Sequence, residues 1–194
     1  ALLFFTVCFG MLKSGKSTLV NLLAGHEEAS PIRFGQDTTL RPCLILAGDT
    51  DEIVTFHMTD ALKGDESGEA EKRCFNAVID HLRGVIEIEN LTKDHHVVVR
   101  RMPFSNDNIV KALCTPEGFG SEPLITVVII SDASDLLRSE IALLDVPGLD
   151  SDQMRPEIER YIELLERCDL LVFIQSTVSA LNHDAAMMLR NLVR

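Results

Sequence analysis

Residues 10–17 of the chain read Gly10-Met11-Leu12-Lys13-Ser14-Gly15-Lys16-Ser17. This segment matches G-x-x-x-x-G-K-[ST], the pattern of a phosphate-binding loop. Its surroundings fit the same motif, because residues 2–9 form an apolar run of strand length and residues 18–24 carry leucine and valine at helical spacing. The sequence therefore predicts a β-strand, a glycine-bounded loop and an α-helix, in that order.

The residue types in this loop suit a nucleotide phosphate. Glycines at both ends let the backbone wrap an anion without a Cβ in the way, and N–H groups at the start of the following helix point at that anion. Lys16 is expected to reach the β- and γ-phosphates, and the Ser17 hydroxyl is expected to bind Mg²⁺. The predicted nucleotide-binding residues of the loop are Gly10, Lys13, Ser14, Gly15, Lys16, Ser17 and Thr18.

Composition limits the classes of protein to which the chain can belong. It has 194 residues, 46% hydrophobic and 25% charged, as expected for one globular domain or part of a larger one. The formal net charge of −12 argues against nucleic acid as a partner. Its five cysteines include no C-x-x-C pair, which favours reduced thiols in a cytoplasmic protein over a disulfide framework or a zinc site.

Apolar periodicity predicts an α/β fold, and the motif at residues 10–17 indicates that this fold is a P-loop NTPase domain. Strand-like runs alternate with helical patterns, and several runs are apolar at every position, which indicates a mostly parallel sheet with helices on both faces. Residues 63–122 are interpreted as an inserted elaboration. Strands are predicted over residues 43–47, 52–58, 124–130, 141–144 and 170–174, and helices over residues 18–24, 70–83, 106–114, 156–167 and 184–193.

Two connections receive specific predictions. Gly48-Asp49-Thr50-Asp51 predicts a hairpin turn that joins the strands on either side of it. Residues 85–99 have no single pattern, and short strands are candidates around residues 86–88 and 97–99.

A second motif, Asp145-Val146-Pro147-Gly148, follows the predicted strand over residues 141–144. An aspartate at the carboxyl end of a strand beside a phosphate-binding loop can hold Mg²⁺ through water. Gly148 can offer its amide to a γ-phosphate and move when that phosphate leaves. Thr39, with Thr38 as the alternative, is the candidate for a second switch that closes over the metal. The predicted metal ligands are therefore Ser17, Thr39 and Asp145.

Three segments together carry a family resemblance. Residues 13–18 read K-S-G-K-S-T and are followed by L-x-N-x-L-x-G, Thr39-x-Arg41-Pro42 comes next, and residues 144–149 contain the D-x-P-G motif. This combination resembles the dynamin superfamily, and it is most similar to the bacterial dynamin-like proteins. The resemblance implies a large GTPase with GTP and Mg²⁺ as ligands. It also implies a homodimer formed through the GTPase domains, with turnover coupled to membrane remodelling through helical stalks.

The departures from the family pattern are specific. The guanine-reading motif [TN]-K-x-D does not follow Asp145, and by family spacing it lies beyond Arg194, so we expect residues 1–194 to be part of a GTPase domain, with the stalk beyond it. Leu12 and Lys13 stand where eukaryotic dynamins have a glutamine and a serine. Leu12 cannot orient water, whereas Lys13 can supply positive charge. The catalytic candidates are Lys16, Thr39, Gly148 and Lys13.

Three functions are weighed on these residues. The leading prediction is a Mg²⁺-dependent GTPase in the cytoplasm, with peripheral membrane contact through regions outside the chain. Leu12 favours an alternative, a nucleotide-dependent binding or scaffold module with little turnover. An ATP-using P-loop protein is the third alternative, and the D-x-P-G motif at Asp145 argues against it.

Overall fold

The structure, a computed structural model, describes residues 3–10, 14–30, 41–62, 69–114, 123–147 and 165–175. Strands and helices alternate along much of the described chain. The strands are β1 (Phe4–Gly10), β2 (Cys43–Ala47), β3 (Glu52–Met58), β4 (Val97–Pro103), β5 (Pro123–Ile130), β6 (Ile141–Asp145) and β7 (Leu170–Ile174). The α-helices are α1 (Lys16–Ala24), α2 (Glu69–Leu82), α3 (Ile88–Asp94), α4 (Asn106–Cys114) and α5 (Asp135–Arg138), and a 3-10 turn spans Asp60–Leu62.

The strands of the described ranges form one seven-stranded sheet in the order β4-β3-β5-β2-β6-β1-β7. The pairs β1–β6, β1–β7 and β2–β5 are parallel, whereas β2–β6, β3–β4 and β3–β5 are antiparallel. The α/β class is confirmed, but the sheet is mixed and not mostly parallel. A run of apolar residues indicates that both faces of a strand are covered, but it does not indicate whether the strand is parallel or antiparallel to its neighbours.

The predicted hairpin at residues 48–51 is wrong, because β5 lies between β2 and β3. Residues 48–51 cross the end of β5, where the Gly48 N–H donates to the carbonyl of Ile130 at 3.0 Å. A Cβ on Gly48 would lie 2.3 Å from Cγ2 of Ile129, so the crossing requires a glycine. The side chain of Asp51 then accepts hydrogen bonds from the backbone N–H and the hydroxyl of Ser131.

Helices cover both faces of the sheet, as predicted. On β1 the side chains of Phe5, Val7 and Phe9 belong to one apolar cluster, and Cys8 belongs to the other. Helices α2 and α3 supply the first cluster, and α1, α4 and α5 supply the second. Burying one large apolar side chain stabilises a fold by about 1.5–3 kcal/mol, so both layers contribute to the stability of the domain.

The described part of the predicted elaboration is integral to the core. Helix α2 places Cys74, Phe75, Val78 and Ile79 in the first cluster, all of them buried. Strand β4 extends the sheet through antiparallel pairs from Met58↔Val97 to Glu52↔Pro103. The inserted segment therefore contributes a helix to the apolar core and a strand to the sheet.

Most other elements match the predictions within a few residues. The helix over residues 106–114 is confirmed as α4, and residues 97–99 lie in β4, but residue 88 begins a helix and not a strand. Helix α5 was not predicted. The predicted helix over residues 184–193, and that over residues 156–167 as far as residue 164, lie outside the described residues. No helix in the described ranges has the length and apolar character needed to cross a bilayer.

Candidate functional site

The phosphate-binding loop lies between β1 and α1, as predicted. Strand β1 ends at Gly10, where an added Cβ would lie 2.0 Å from the carbonyl oxygen of Ile174 in β7. Gly15 caps α1 with φ +92°, a left-handed conformation that favours glycine, and its carbonyl accepts from the N–H of Leu19 at 3.0 Å. The first glycine is required by the close approach of a neighbouring strand, and the second by its backbone angle.

Lys16 brings a cation into this loop. It occupies the first turn of α1, its residue is only 7% exposed, and its Nζ donates to the carbonyl of Gly10 at 3.2 Å. An ammonium group is costly to remove from water unless an anion or several acceptors compensate it. This charge and the N–H groups at the start of α1 are features that suit an anion.

Asp145 lies beside Ser17, as the two motifs predict. The Ser17 hydroxyl donates to Oδ2 of Asp145 at 2.7 Å, across the gap between α1 and the carboxyl end of β6. Asp145 is 0% exposed. Burial raises the pKa of its carboxyl group, and hydrogen bonds from Ser30 and Ser17 and the charge of Lys16 act in the opposite direction.

Sequence reasoning missed two residues of this site, Ser30 and Asn21. The Ser30 hydroxyl donates to the same Oδ2 of Asp145 at 2.6 Å. Asn21, a buried residue of α1, holds Ser30 in place through hydrogen bonds to its backbone. A polar residue among the apolar ones of α1 was a signal for Asn21, but nothing in the sequence marks Ser30.

The residues present fit a magnesium ion. Oδ1 of Asp145 is buried and has no hydrogen-bond partner in the described part of the chain, and the Ser17 hydroxyl lies next to the same carboxylate. Proteins bind Mg²⁺ through one or two carboxylates, hydroxyls and waters, and substrate phosphates complete its shell. The described residues contain no group of three or more His, Cys, Asp or Glu that could hold a metal, so the fit depends on bound phosphates.

The remaining predicted residues divide into two groups. Ser14 is half-buried, and its hydroxyl has no hydrogen-bond partner within the described ranges, whereas Thr18 is exposed on α1. Lys13, Thr39 and Gly148 lie outside the described residues. The structure therefore brings together Gly10, Gly15, Lys16, Ser17 and Asp145, and the other assignments stay predictions.

Comparison with known proteins identifies relatives of this fold and site. A family model described as the dynamin family matches residues 6–194. Two solved structures match 97% of the chain at 21% identity, with TM-scores of 0.56 and 0.54. Both come from work on an oligomerised bacterial dynamin pair described as a mechanism for long-range sensing and tethering of membranes. No curated protein matches the chain.

The length covered and the sequence identity differ between the family match and the two structural matches. The chain spans about a quarter of the length of the two solved structures, 25% and 24%. At 21% identity, they show that this chain has the same fold. The family match covers nearly the whole chain, including the phosphate-binding loop and Asp145.

Proposed function

The chain belongs to the dynamin family, and we propose that its domain binds GTP together with Mg²⁺ and hydrolyses the nucleotide at residues 10–17. Family membership confirms the prediction of a dynamin-superfamily GTPase domain. The dependence on Mg²⁺ and the assignment of roles to individual residues are proposals, as is the assignment of residues 1–194 as part of a larger GTPase domain.

One observation carries the proposal. A buried lysine, a serine hydroxyl and a buried carboxylate with an unpaired oxygen meet at the start of one helix: Lys16, Ser17 and Asp145. A fold that needed only stability would gain little from such a group, because a buried acid costs free energy unless its charge is compensated. The same three groups match the needs of a metal-bound triphosphate, which brings both negative charge and a divalent cation.

The chain's own residues act by binding and positioning. The N–H groups at the start of α1 bind the phosphates, and Lys16 supplies positive charge to them. The Ser17 hydroxyl and the Asp145 carboxylate are the groups that would hold the metal. Mg²⁺, when bound, neutralises charge on the phosphates. Hydrolysis needs little covalent help from protein groups, so this positioning supplies most of the acceleration.

The roles of Thr39, Gly148 and Lys13 complete the proposal. In this proposal Thr39 would help to hold the metal, Gly148 would offer its amide to the γ-phosphate, and Lys13 would add positive charge during hydrolysis. Support for Thr39 and Gly148 comes from the family motifs, and the case for Lys13 rests on its position in the loop alone. If Lys13→Ala hydrolysed GTP with the kcat of the wild-type protein, the proposed role of Lys13 in hydrolysis would be contradicted.

The proposal extends to self-association and membranes. In this proposal two copies of the protein form a homodimer through their GTPase domains, and regions outside this chain bring a cytoplasmic protein to a membrane surface. Support comes from the two similar structures, which belong to an oligomerised bacterial dynamin pair that senses and tethers membranes. GTP turnover per molecule that rises steeply with protein concentration is the expected sign of pairing.

The direct test is a titration of fluorescent GTP and ATP analogues with and without Mg²⁺. Lys16→Ala is expected to lose GTP binding, whereas the matched control Lys93→Ala, which removes an exposed lysine on α3, keeps it. Equal or tighter binding of ATP would contradict guanine specificity and favour the ATP-using alternative. Absence of binding by the wild-type chain would contradict the proposal altogether.

A nucleotide-dependent module with little turnover is the second candidate. Leu12 favours it, because an aliphatic side chain cannot orient an attacking water. Single-turnover hydrolysis of bound GTP separates the two candidates. Tight binding with no hydrolysis at any protein concentration would select the binding module.

A further inference from the structure

Ser30 is unusually fixed for a residue outside a helix or strand. It is 0% exposed, and each of its polar groups has a partner. Its N–H donates to Oδ1 of Asn21 at 2.7 Å, its carbonyl accepts from Nδ2 of Asn21 at 2.7 Å, and its hydroxyl donates to Oδ2 of Asp145 at 2.6 Å. Because its backbone and side chain are both held, the hydroxyl has little freedom to leave Asp145.

Asn21 is the residue that sets Ser30 in place. Its Nδ2 also donates to the carbonyl of Glu27 at 2.7 Å, so one side-chain amide binds the loop after α1 at two residues. Asn21 lies one turn after Ser17 on α1, with the residue buried. Helix α1 therefore presents two hydroxyls to Asp145, one directly from Ser17 and one through the Asn21–Ser30 contact.

Both hydroxyls bind the same oxygen of the carboxylate. Oδ2 of Asp145 accepts from Ser17 at 2.7 Å and from Ser30 at 2.6 Å, and Oδ1 is left with no hydrogen-bond partner in the described ranges. Rotation of the carboxylate about its Cβ–Cγ bond would break both hydrogen bonds at once. Two donors on one oxygen thus hold the carboxylate in one orientation.

We propose that Ser30 is a positioning residue of the metal–nucleotide site: clamped by Asn21, it orients the Asp145 carboxylate so that Oδ1 stays available to the water shell of Mg²⁺. The inference rests on the proposed function and deepens it. Ser30 itself touches neither metal nor phosphate. The same clamp fixes the point at which the chain enters residues 31–40, the segment that contains Thr39.

The test measures the Mg²⁺ concentration that gives half-maximal binding of a non-hydrolysable fluorescent GTP analogue. In Ser30→Ala this concentration is expected to rise about threefold to tenfold, the loss that one intramolecular hydrogen bond of ordinary net strength predicts. Binding of the analogue in EDTA is expected to stay at the wild-type value, because the effect requires the metal. Ser30→Cys, which keeps the shape but has a weak donor, gives a second variant with the same expected direction.

Thr126→Val is the matched control. Thr126 is a fully buried residue of β5, a strand that β2 separates from Asp145, and its hydroxyl has no hydrogen-bond partner within the described residues. This variant therefore also removes one buried hydroxyl, but one that does not contact Asp145. It is expected to leave the half-maximal Mg²⁺ concentration unchanged. Thermal unfolding of all variants without nucleotide reports any general loss of stability.

The outcomes separate this inference from the function on which it rests. If the wild-type chain shows no Mg²⁺-dependent GTP binding, the proposed function fails. If the wild-type chain binds but both Ser30 variants keep its Mg²⁺ dependence, the role of Ser30 is overturned and the function stands. Weaker binding by the same factor with Mg²⁺ and in EDTA would also overturn it, because that result indicates a purely structural role.

Discussion

Strand β1 carries a polar network at each end, and the two networks are built differently. At its carboxyl end lie Asp145, Ser17, Ser30 and Asn21, which with Lys16 form the carboxyl-end network. At its amino end the Phe5 N–H donates to Oδ2 of Asp169 at 2.7 Å, and the Asp169 N–H donates to the carbonyl of Phe5 at 2.9 Å. Both networks attach a helix to the central strands of the same sheet.

Arginines dominate the amino-end network, which consists of Arg83, Asp169, Arg167, Asp80 and Phe5. Arg83, the residue that follows α2, pairs with Oδ2 of Asp169 at 3.2 Å, and its guanidinium lies 4.8 Å from the centre of the Phe5 ring. Arg167 pairs with Asp80 of α2. Each carboxylate in this network thus has a cation beside it, and the side chains of both ion pairs are partly exposed.

The contrast between the two networks distinguishes a ligand site from a structural contact. Compensated, partly exposed ion pairs attach α2 to the rest of the fold at modest cost in desolvation. The carboxylate of Asp145 is fully buried, and burial raises its pKa although two hydroxyls and the charge of Lys16 act in the opposite direction. One of its oxygens lacks a partner among the described residues. An acid in that state costs free energy in the empty protein, and a bound cation relieves the cost.

The largest effect on ligand affinity is expected from a substitution in the carboxyl-end network. Asp145→Asn keeps the shape and removes the charge, so the apparent affinity for Mg²⁺ in GTP binding is expected to fall about 10- to 100-fold. The free energy of unfolding of the empty protein is expected to stay the same or rise, because a buried acid is removed. Calorimetric titration and thermal unfolding check the two parts. A clear loss of stability without loss of Mg²⁺ dependence would make this network structural.

Substitution in the amino-end network is expected to lower the stability of the protein and to leave GTP binding unchanged. Arg83→Ala removes the ion pair with Asp169 and the contact with Phe5, so the free energy of unfolding is expected to fall by about 2 kcal/mol. Affinity for GTP at saturating Mg²⁺ is expected to be unchanged. Urea unfolding measures the first quantity, with Arg73→Ala, which removes an exposed arginine of α2, as the control. Weaker GTP binding by folded Arg83→Ala would contradict a purely structural role for the amino-end network.

Cys168, which lies beside the amino-end network, makes the stability of the protein depend on pH. Burial raises the pKa of its thiol from 9.0 to about 12, Arg83 and Arg167 lower it, and Asp169 raises it. Since the unfolded thiol ionises first, its contribution to stability is complete below pH 9 and is lost as pH rises toward 12. The unfolding free energy of the wild-type protein is therefore expected to fall more steeply with pH than that of Cys168→Ala, by at most about 1.4 kcal/mol per pH unit. Parallel slopes from pH 9 to 10.5 would contradict the raised pKa.

The smallest expected effect is at Asp80. Asp80→Asn removes the charge opposite Arg167, and the partial exposure of both side chains limits the loss to about 1 kcal/mol of unfolding free energy. Urea unfolding of Asp80→Asn is compared with that of Asp94→Asn, an exposed aspartate of α3. Equal stability of the two variants would show that the ion pair of Asp80 with Arg167 does not stabilise the fold.

The carboxyl-end network was predictable from sequence to the extent that its residues lie in short motifs. Lys16, Ser17 and Asp145 occupy fixed positions in two such motifs, and the strand and helix patterns around them predicted where the motifs would meet. Ser30 was not predictable, because its role depends on a side-chain amide that folds the loop after α1 back onto β6. A serine before a proline carries no local sign of that contact.

The fold was predictable in class and less so in connectivity. Apolar runs located all the strands of the described sheet except the full extent of β4, and they predicted coverage on both faces. They could not show that β5 separates β2 from β3, because a polar turn with glycine suits a hairpin and a crossing equally. Nor did the pattern of residues 70–83 reveal that α2 completes the core, since helical spacing gives the apolar face of a helix and not its partner.

The most direct test compares Lys16→Ala and Arg83→Ala in one experiment, with GTP binding in the presence of Mg²⁺ and thermal unfolding measured on each. The account predicts that Lys16→Ala stays folded and loses GTP binding, whereas Arg83→Ala unfolds at a lower temperature and binds GTP with wild-type affinity. Wild-type GTP binding by Lys16→Ala, or loss of binding by folded Arg83→Ala, would contradict the assignment of the carboxyl end as the nucleotide site.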